Sequence, residues 1–392
     1  MAKIFNQLVV KHPFKKWINF DSLKSWENSL HVFFRTCQQF CFLPTVWDTK
    51  SDSLEFTKNK VQLAVCASIL GLNAVCTVGA VVQMCTVSYE KLGTDATAKF
   101  LLDSLSRVYG LLVMTLTAWK IRDTVTFFNL VYHLHKRLKH TRLEGTQMND
   151  GLSILTIFVV ITHIFPFFQF FEHLQDRHGP RFLLAKLIPG FIYDSWIGIF
   201  AFAFLEMVTS AIGMFATFYG IMQIILFCLT TRYWLTDIVR PPRKYEYRKI
   251  DLTLYKILAV LNCIENQIYA PDAWPLLNTI LCFFHITCNI AIVKSFKELH
   301  QFPQRMFLVI VTITLTNIEK ACFKSPAEIY DLSQCFKRMY ECHANRLNRA
   351  IGRSLRSLRI QVGSVYFIKM STFKTFMASI VDNTITILIT FF

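Results

Sequence analysis

The chain has 392 residues, of which 53% are hydrophobic and 37 are phenylalanine, and it carries a formal net charge of +16. A mean hydropathy of +0.37, with long apolar runs recurring along the whole length, exceeds what soluble cores need and excludes a string of soluble domains. A nucleic-acid partner is not expected either, because the basic residues lie between apolar runs, where they orient a membrane protein.

Residues 1–62 read as a basic, amphipathic cytosolic arm, with a helix predicted over 23–42 that stops before Pro44. The start, MAKIFNQLVVKHPFKKW, lacks the apolar region and cleavage site of a signal peptide. Membrane crossings are predicted at 63–87, 100–119 and 152–171, the third interrupted by Pro166. A fourth begins near Pro189 and Gly190 and stays helical to about Val239. That is too long for one bilayer and holds no polar turn, so its end is expected to project into the cytosol. The stretch 232–275 then forms a cytosolic connector with an amphipathic helix to about Ile268. Crossings five and six fall at 276–293 and 306–322. A polar cytosolic segment, 323–370, carries Arg346, Arg349, Arg353, Arg356 and Arg359, and the seventh crossing occupies 371–392. The fold class is therefore all-α, a polytopic protein of seven transmembrane helices whose part from 63 to 322 carries the first six. The connectors 120–150, 232–249 and 337–359 are basic, whereas the loops 88–99, 172–186 and 294–305 have mixed charge. The positive-inside rule then puts the N-terminus in the cytosol and the C-terminus outside the cell.

The seventh crossing has an ordered polar face. At about 100° per residue, Thr372, Thr375, Ser379, Asp382, Asn383, Thr386 and Thr390 share roughly a third of its circumference. Phe376, Met377, Ile380, Val381, Ile385, Ile387 and Leu388 occupy the rest. One reading of the stripe is the wall of a water-filled pore shared between copies of the chain. The other is that Ser and Thr pack against neighbouring helices and bond back to their own backbone.

Other polar residues at membrane depth are expensive unless paired or functional. Asp103 and Arg107 stand one turn apart in the second crossing, a spacing at which they can pair with each other. Gln169 of the third crossing, Asp194 and Trp196 at the start of the fourth, Asn289 of the fifth and Thr312 of the sixth lie at similar depth. Together they would suit a small polar ligand, while singly they fit interfacial anchoring or core hydrogen bonding. Glu206 and His163 lie deeper and can satisfy one another. The twelve cysteines form no framework, and Cys335, Cys342 and His343 lack a second ligand pair at zinc spacing, so no metal is expected. No phosphate loop, nucleophile elbow or metalloprotease motif occurs, so neither a cofactor nor an enzymatic activity is expected.

Several stretches resemble the insect chemoreceptor superfamily, the gustatory and odorant receptors. QFCFLP (39–44) with SLEF (53–56) is similar to the segment before the membrane in sugar-type gustatory receptors, and CLTTRYW (228–234) to the end of their fourth helix. ECHANRLNRAI (341–351), then GSVYFI (363–368), resembles the stretch before their last crossing. The family's terminal TYhhhhhQF pattern falls on Thr384, Ile385 and the Phe391–Phe392 pair, so its Tyr and Gln are replaced here. RSLRSLRIQVG (353–363) with Thr372 and Phe373 is similar to the odorant-receptor ending, so both branches stay open. The resemblance implies a homo- or hetero-tetramer with related receptors in the plasma membrane of sensory neurons. Its central cation pore would be lined by Thr375, Ser379, Asp382, Asn383, Thr386 and Thr390 and gated by Phe391 and Phe392. The partner it implies is a small-molecule tastant, a sugar among the possibilities, bound among crossings two to six. A membrane transporter is the competing class, although no internal repeat supports one.

Overall fold

The computed structural model describes residues 26–40, 42–86, 94–142, 190–239, 247–295, 302–342 and 345–391, together with most of 159–174. The described chain is mostly helical: α1 (Trp26–Gln39), α2 (Lys60–Thr86), α3 (Thr94–Trp119), α4 (Ile121–Arg142), α5 (Trp196–Val239), α6 (Tyr247–Tyr269), α7 (Ala273–Ser295), α8 (Phe302–Glu341), α9 (Arg346–Ser354) and α10 (Met370–Phe391). Two small antiparallel hairpins depart from an all-helical chain, β1 (Thr45–Asp48) with β2 (Ser53–Phe56) and β3 (Gln361–Val362) with β4 (Tyr366–Phe367). Among the described residues three segments are long and apolar enough to cross a bilayer: α2, α5 and Ala273–Val293 of α7.

Helix α5 is the axis of the fold. Its 44 residues hold no proline, and every residue from Ile221 to Thr231 is buried, as befits a helix apolar on all sides. It packs against α3, α8, α4 and α2. The approach to α3 is tight: a Cβ on Gly110 would stand 3.0 Å from the Cα of Gly213. Further along, α1 inserts Leu30, Phe33, Phe34 and Cys37, spaced three and four apart, into an aromatic cluster. Phe33 meets Phe218 at 4.6 Å and Phe215 at 5.3 Å, while Phe34 meets Phe128 of α4 at 5.4 Å and Trp47 of β1 at 5.5 Å.

The first hairpin turns because the Asp48 carboxylate accepts from the Lys50 and Ser51 backbone amides at 3.0 and 3.2 Å, closing an Asx turn. Its outer strand would leave Leu54 unpaired, and the side-chain amide of Asn129 on α4 takes both groups. Leu54 N–H donates to Asn129 Oδ1 at 2.9 Å, and Asn129 Nδ2 donates to Leu54 O at 2.7 Å.

Extended residues 355–362 run from α9 to the second hairpin. They alternate from Leu358, with Leu358, Ile360 and Val362 buried and Arg359 and Gln361 exposed. Helix α6 supplies what a neighbouring strand would. Asn262 exchanges bonds with both backbone groups of Arg359, at 2.9 and 3.1 Å. Asn266 donates to Arg359 O and accepts from Gln361 N, both at 2.7 Å, and the Tyr255 hydroxyl donates to Arg356 O at 2.7 Å. From α8, Ser333 Oγ accepts from Leu358 N at 3.1 Å. Finally Gly363 N donates to Ala270 O, at the elbow between α6 and α7, at 2.7 Å.

Helix α8 passes through Pro326 without ending, and α9, capped by Asn345, folds back onto its tip. That return is possible because Gly352 has no side chain: a Cβ there would stand 2.7 Å from Glu341 N and 2.9 Å from Tyr340 Cβ. Gly352→Val should therefore destabilise the protein by about 1–3 kcal/mol, read as a lowered melting temperature of the detergent-solubilised chain.

Candidate functional site

Among the described residues helix α10 packs chiefly against α7 and α8. Ile380 is fully buried, Thr384 nearly so, and Phe376 meets Phe323 of α8 at 4.6 Å. Thr375, Ser379, Asp382, Asn383, Thr386 and Thr390 are all exposed, turned away from the chain's own bundle. Three of them spend donors locally: Thr375 Oγ1 on Ser371 O at 3.2 Å, Asn383 Nδ2 on Ser379 O at 2.7 Å, and Thr386 Oγ1 on Asp382 O at 2.8 Å. Hydroxyl lone pairs and the Asp382 carboxylate thus remain on the open side. Val381, Ile385 and the 79% exposed Ile389 border the stripe. An edge of this kind can line water between copies, and lipid alone would leave its carboxylate unsolvated. Phe392 and the side chain of Phe391 lie outside the described residues.

Helix α2 shows the inverse of a soluble amphipathic helix. Val61, Val75, Val78 and Val82 are 54–71% exposed, whereas Gln62, Asn73, Thr77 and Gln83 are buried. The inward polar face joins a cluster in which Arg107 of α3 forms a largely buried ion pair with Glu206 of α5. Thr77 Oγ1 donates to Asn73 O at 2.7 Å and reaches Arg107 O at 3.4 Å, and Asn73 Nδ2 lies 3.3 Å from the Met114 sulfur. Glu206 therefore pairs with Arg107 and not with His163, the partner expected from depth alone. The His163 ring contacts Thr36 Oγ1 at 3.0 Å and Val159 O at 2.7 Å. The side chain of Asp103 lies outside the described residues. The contribution of α2 was missed from sequence, although Asn73, Thr77, Ala80 and Gln83 recur every three or four residues and mark one face.

The other candidate ligand residues stand within 159–174, at the start of α5 and on α7 and α8. Gln169 is buried, and its Oε1 has no hydrogen-bond partner among the described residues. Asp194 and Trp196 are exposed at the N-terminal end of α5, Trp196 by 79%. Asn289 and Thr312 are half-buried on α7 and α8. The same two helices share a buried pair that sequence reasoning missed, His285 Nδ1 with Glu319 at 2.9 and 3.0 Å. On α7, Asn278 Nδ2 reaches the Tyr366 hydroxyl of the second hairpin at 3.0 Å. Every described cysteine is a free thiol. Among the described residues no group of three His, Cys, Asp or Glu is arranged to hold a metal ion, and His343 lies outside them.

No protein-family model matches the chain, and no curated protein matches its sequence. Its fold is similar to that of the insect olfactory receptor OR5 from Machilis hrabei in complex with eugenol, at a TM-score of 0.62. That likeness covers 95% of this chain and 99% of the receptor at 10% identity. A second structure of the same receptor matches at a TM-score of 0.54 and 11% identity, covering 93% of this chain and 97% of that one. At such identities the likeness establishes a shared fold.

Removing one member of the Arg107–Glu206 pair leaves a charge stranded in the bundle. Arg107→Ala should cost on the order of 3–5 kcal/mol of stability, and Glu206→Gln added to it should restore most of the loss. Melting curves of the two variants in detergent test this.

Proposed function

We propose that this chain is a subunit of a ligand-gated, non-selective cation channel of the insect chemoreceptor kind, gathered as a tetramer around α10. The observation that carries the reading is the polar stripe of α10, Asp382 included, turned away from the bundle that holds the helix. Within a bilayer that stripe needs water, and four copies facing one axis would supply it. The fold shared with an olfactory receptor over nearly the whole chain supports the same reading.

In this reading the chain crosses the plasma membrane of a sensory neuron seven times, with its N-terminus in the cytosol and its C-terminus outside. Four copies of Asp382 form an acidic ring that favours cations. Thr375, Ser379, Asn383, Thr386 and Thr390 line the path, and Phe391 and Phe392 constrict its outer mouth. A small tastant, a sugar among the candidates, binds among crossings two to six with Asp103, Arg107, Gln169, Asp194, Trp196, Asn289 and Thr312 as its polar contacts. It opens the pore only by its differential affinity for the open and closed states.

A second reading, an odorant-receptor subunit that needs a co-receptor, is favoured by the neighbour solved with eugenol. Expressing the chain alone separates the two: a gustatory homomer gives a tastant-evoked current, and an odorant subunit stays silent until a co-receptor is added. Single-channel current steps would exclude a transporter, whose turnover is too slow to produce them. Asp382→Asn should lower the cation-over-anion permeability ratio several-fold while the ligand dose dependence stays in place. Unchanged selectivity in patch recordings would remove Asp382 from the pore.

A further inference from the structure

The elbow between α6 and α7 buries a carboxyl that none of the foregoing uses. Glu265, in the last two turns of α6, has no exposed surface. Its Oε1 accepts from the Trp274 indole N–H at 2.7 Å, and its Oε2 has no hydrogen-bond partner among the described residues. The groups around it are neutral. Helix α5 presents the Cys228 thiol and, through Tyr269, the Tyr219 hydroxyl, with Cys322 of α8 beyond Cys228. Tyr269 on α6 itself bonds Gln223, and α4 contributes Phe127, whose ring stands 5.8 Å from that of Tyr269. The charged groups at the elbow, Lys120 and Asp272, engage each other at 2.8 Å, and Lys120 also donates to Ile268 O at 2.9 Å.

We propose that Glu265 is a cytosolic proton-binding site whose loss of a proton unlatches the α6–α7 elbow from the segment leading into α10. The mechanical link is short. Ala270, five residues after Glu265, accepts from Gly363 N at 2.7 Å, one turn of α6 earlier Asn262 grips Arg359, and Asn278 on α7 holds Tyr366. A lone anion in this apolar enclosure has one donor and no cation, so charging it drives the helix ends apart or admits water. Burial pushes the Glu265 carboxyl from 4.5 up to about 8, and the Trp274 N–H offsets only part of that rise. The site is therefore poised near cytosolic pH.

This inference takes the cytosolic side and the conducting role of α10 from the proposed function, and its primary test depends on neither. A carboxyl raised from 4.5 to about 8 holds a proton in the folded chain that the unfolded chain has already released. Folding stability accordingly falls as pH climbs between those values and levels off above them. In detergent, the wild-type melting temperature should drop by several degrees relative to Glu265→Gln across that window, with the gap constant at higher pH. Trp274→Phe, which removes the donor to the charged form, should move the end of the drop to higher pH. Parallel melting profiles of wild type and Glu265→Gln would overturn the proton site. In inside-out patches, the ligand-evoked current of the wild type should be half-lost near pH 8 on the cytosolic side, and that of Glu265→Gln should be flat. A wild-type current indifferent to cytosolic pH would overturn the coupling to α10. Separated melting profiles with no current at any pH, with or without a co-receptor, would leave the proton site standing and remove the channel reading instead.

Discussion

On the side facing α6 and α8 the extended chain between α9 and α10 has no strand beside it, so the backbone groups of Arg356, Leu358, Arg359 and Gln361 must find partners elsewhere or be buried at a cost of a few kcal/mol each. Two asparagines, a tyrosine and a serine meet that demand. Asn262 and Asn266 lie four residues apart on α6, one turn of helix, which lets their amides imitate successive rungs of a ladder. Everything after α9 depends on this clamp. It fixes where the second hairpin sits, which edge of α10 meets α7 and α8, and therefore which edge is left open. The guanidinium of Arg359, 4.8 Å from the Phe367 ring and 5.8 Å from that of Tyr330, covers the outside of the same junction.

The same economy of polar groups organises the bundle. Inside-facing Asn73 and Thr77, the Arg107–Glu206 pair and the His285–Glu319 pair sit where a soluble protein would place leucine, while valines of α2 and phenylalanines at the start of α5 face outward. Such an inversion is stable only where the surroundings are apolar. Pairs of this kind add little net stability, but they penalise helix rotations that would separate them, which favours one register of α3 on α5 and of α7 on α8.

Much of this was legible in the chain because it is written locally. The unbroken apolar run to Val239 announced one long helix, and the 100° stepping of threonines and Asp382 announced the stripe of α10, which the structure turns away from the bundle. What stayed hidden depends on residues far apart in sequence. Glu206 and Arg107 are 99 positions apart, and depth alone gave Glu206 the wrong partner in His163. The asparagines of α6 look like ordinary polar positions of an amphipathic helix until residues 355–362 are laid beside them. The polar segment expected from 323 gave no sign that the helix of the sixth crossing continues into it. Helix α8 runs on to Glu341, and neighbours packed around Ala327 and Ile329 hold it through the one hydrogen bond that Pro326 deletes.

Helix α5 measures about 66 Å at 1.5 Å per residue, and its backbones touch α3 at Gly213, about 26 Å from one end and 39 Å from the other. A stiff beam resting on such a contact behaves as a see-saw with unequal arms. A tilt about it would carry the Val239 tip the opposite way from the Trp196 tip, and about one and a half times as far. The short arm ends at the exposed Trp196 and the long arm packs on α4 through Trp234, so a tilt about the contact is larger at the α4 end.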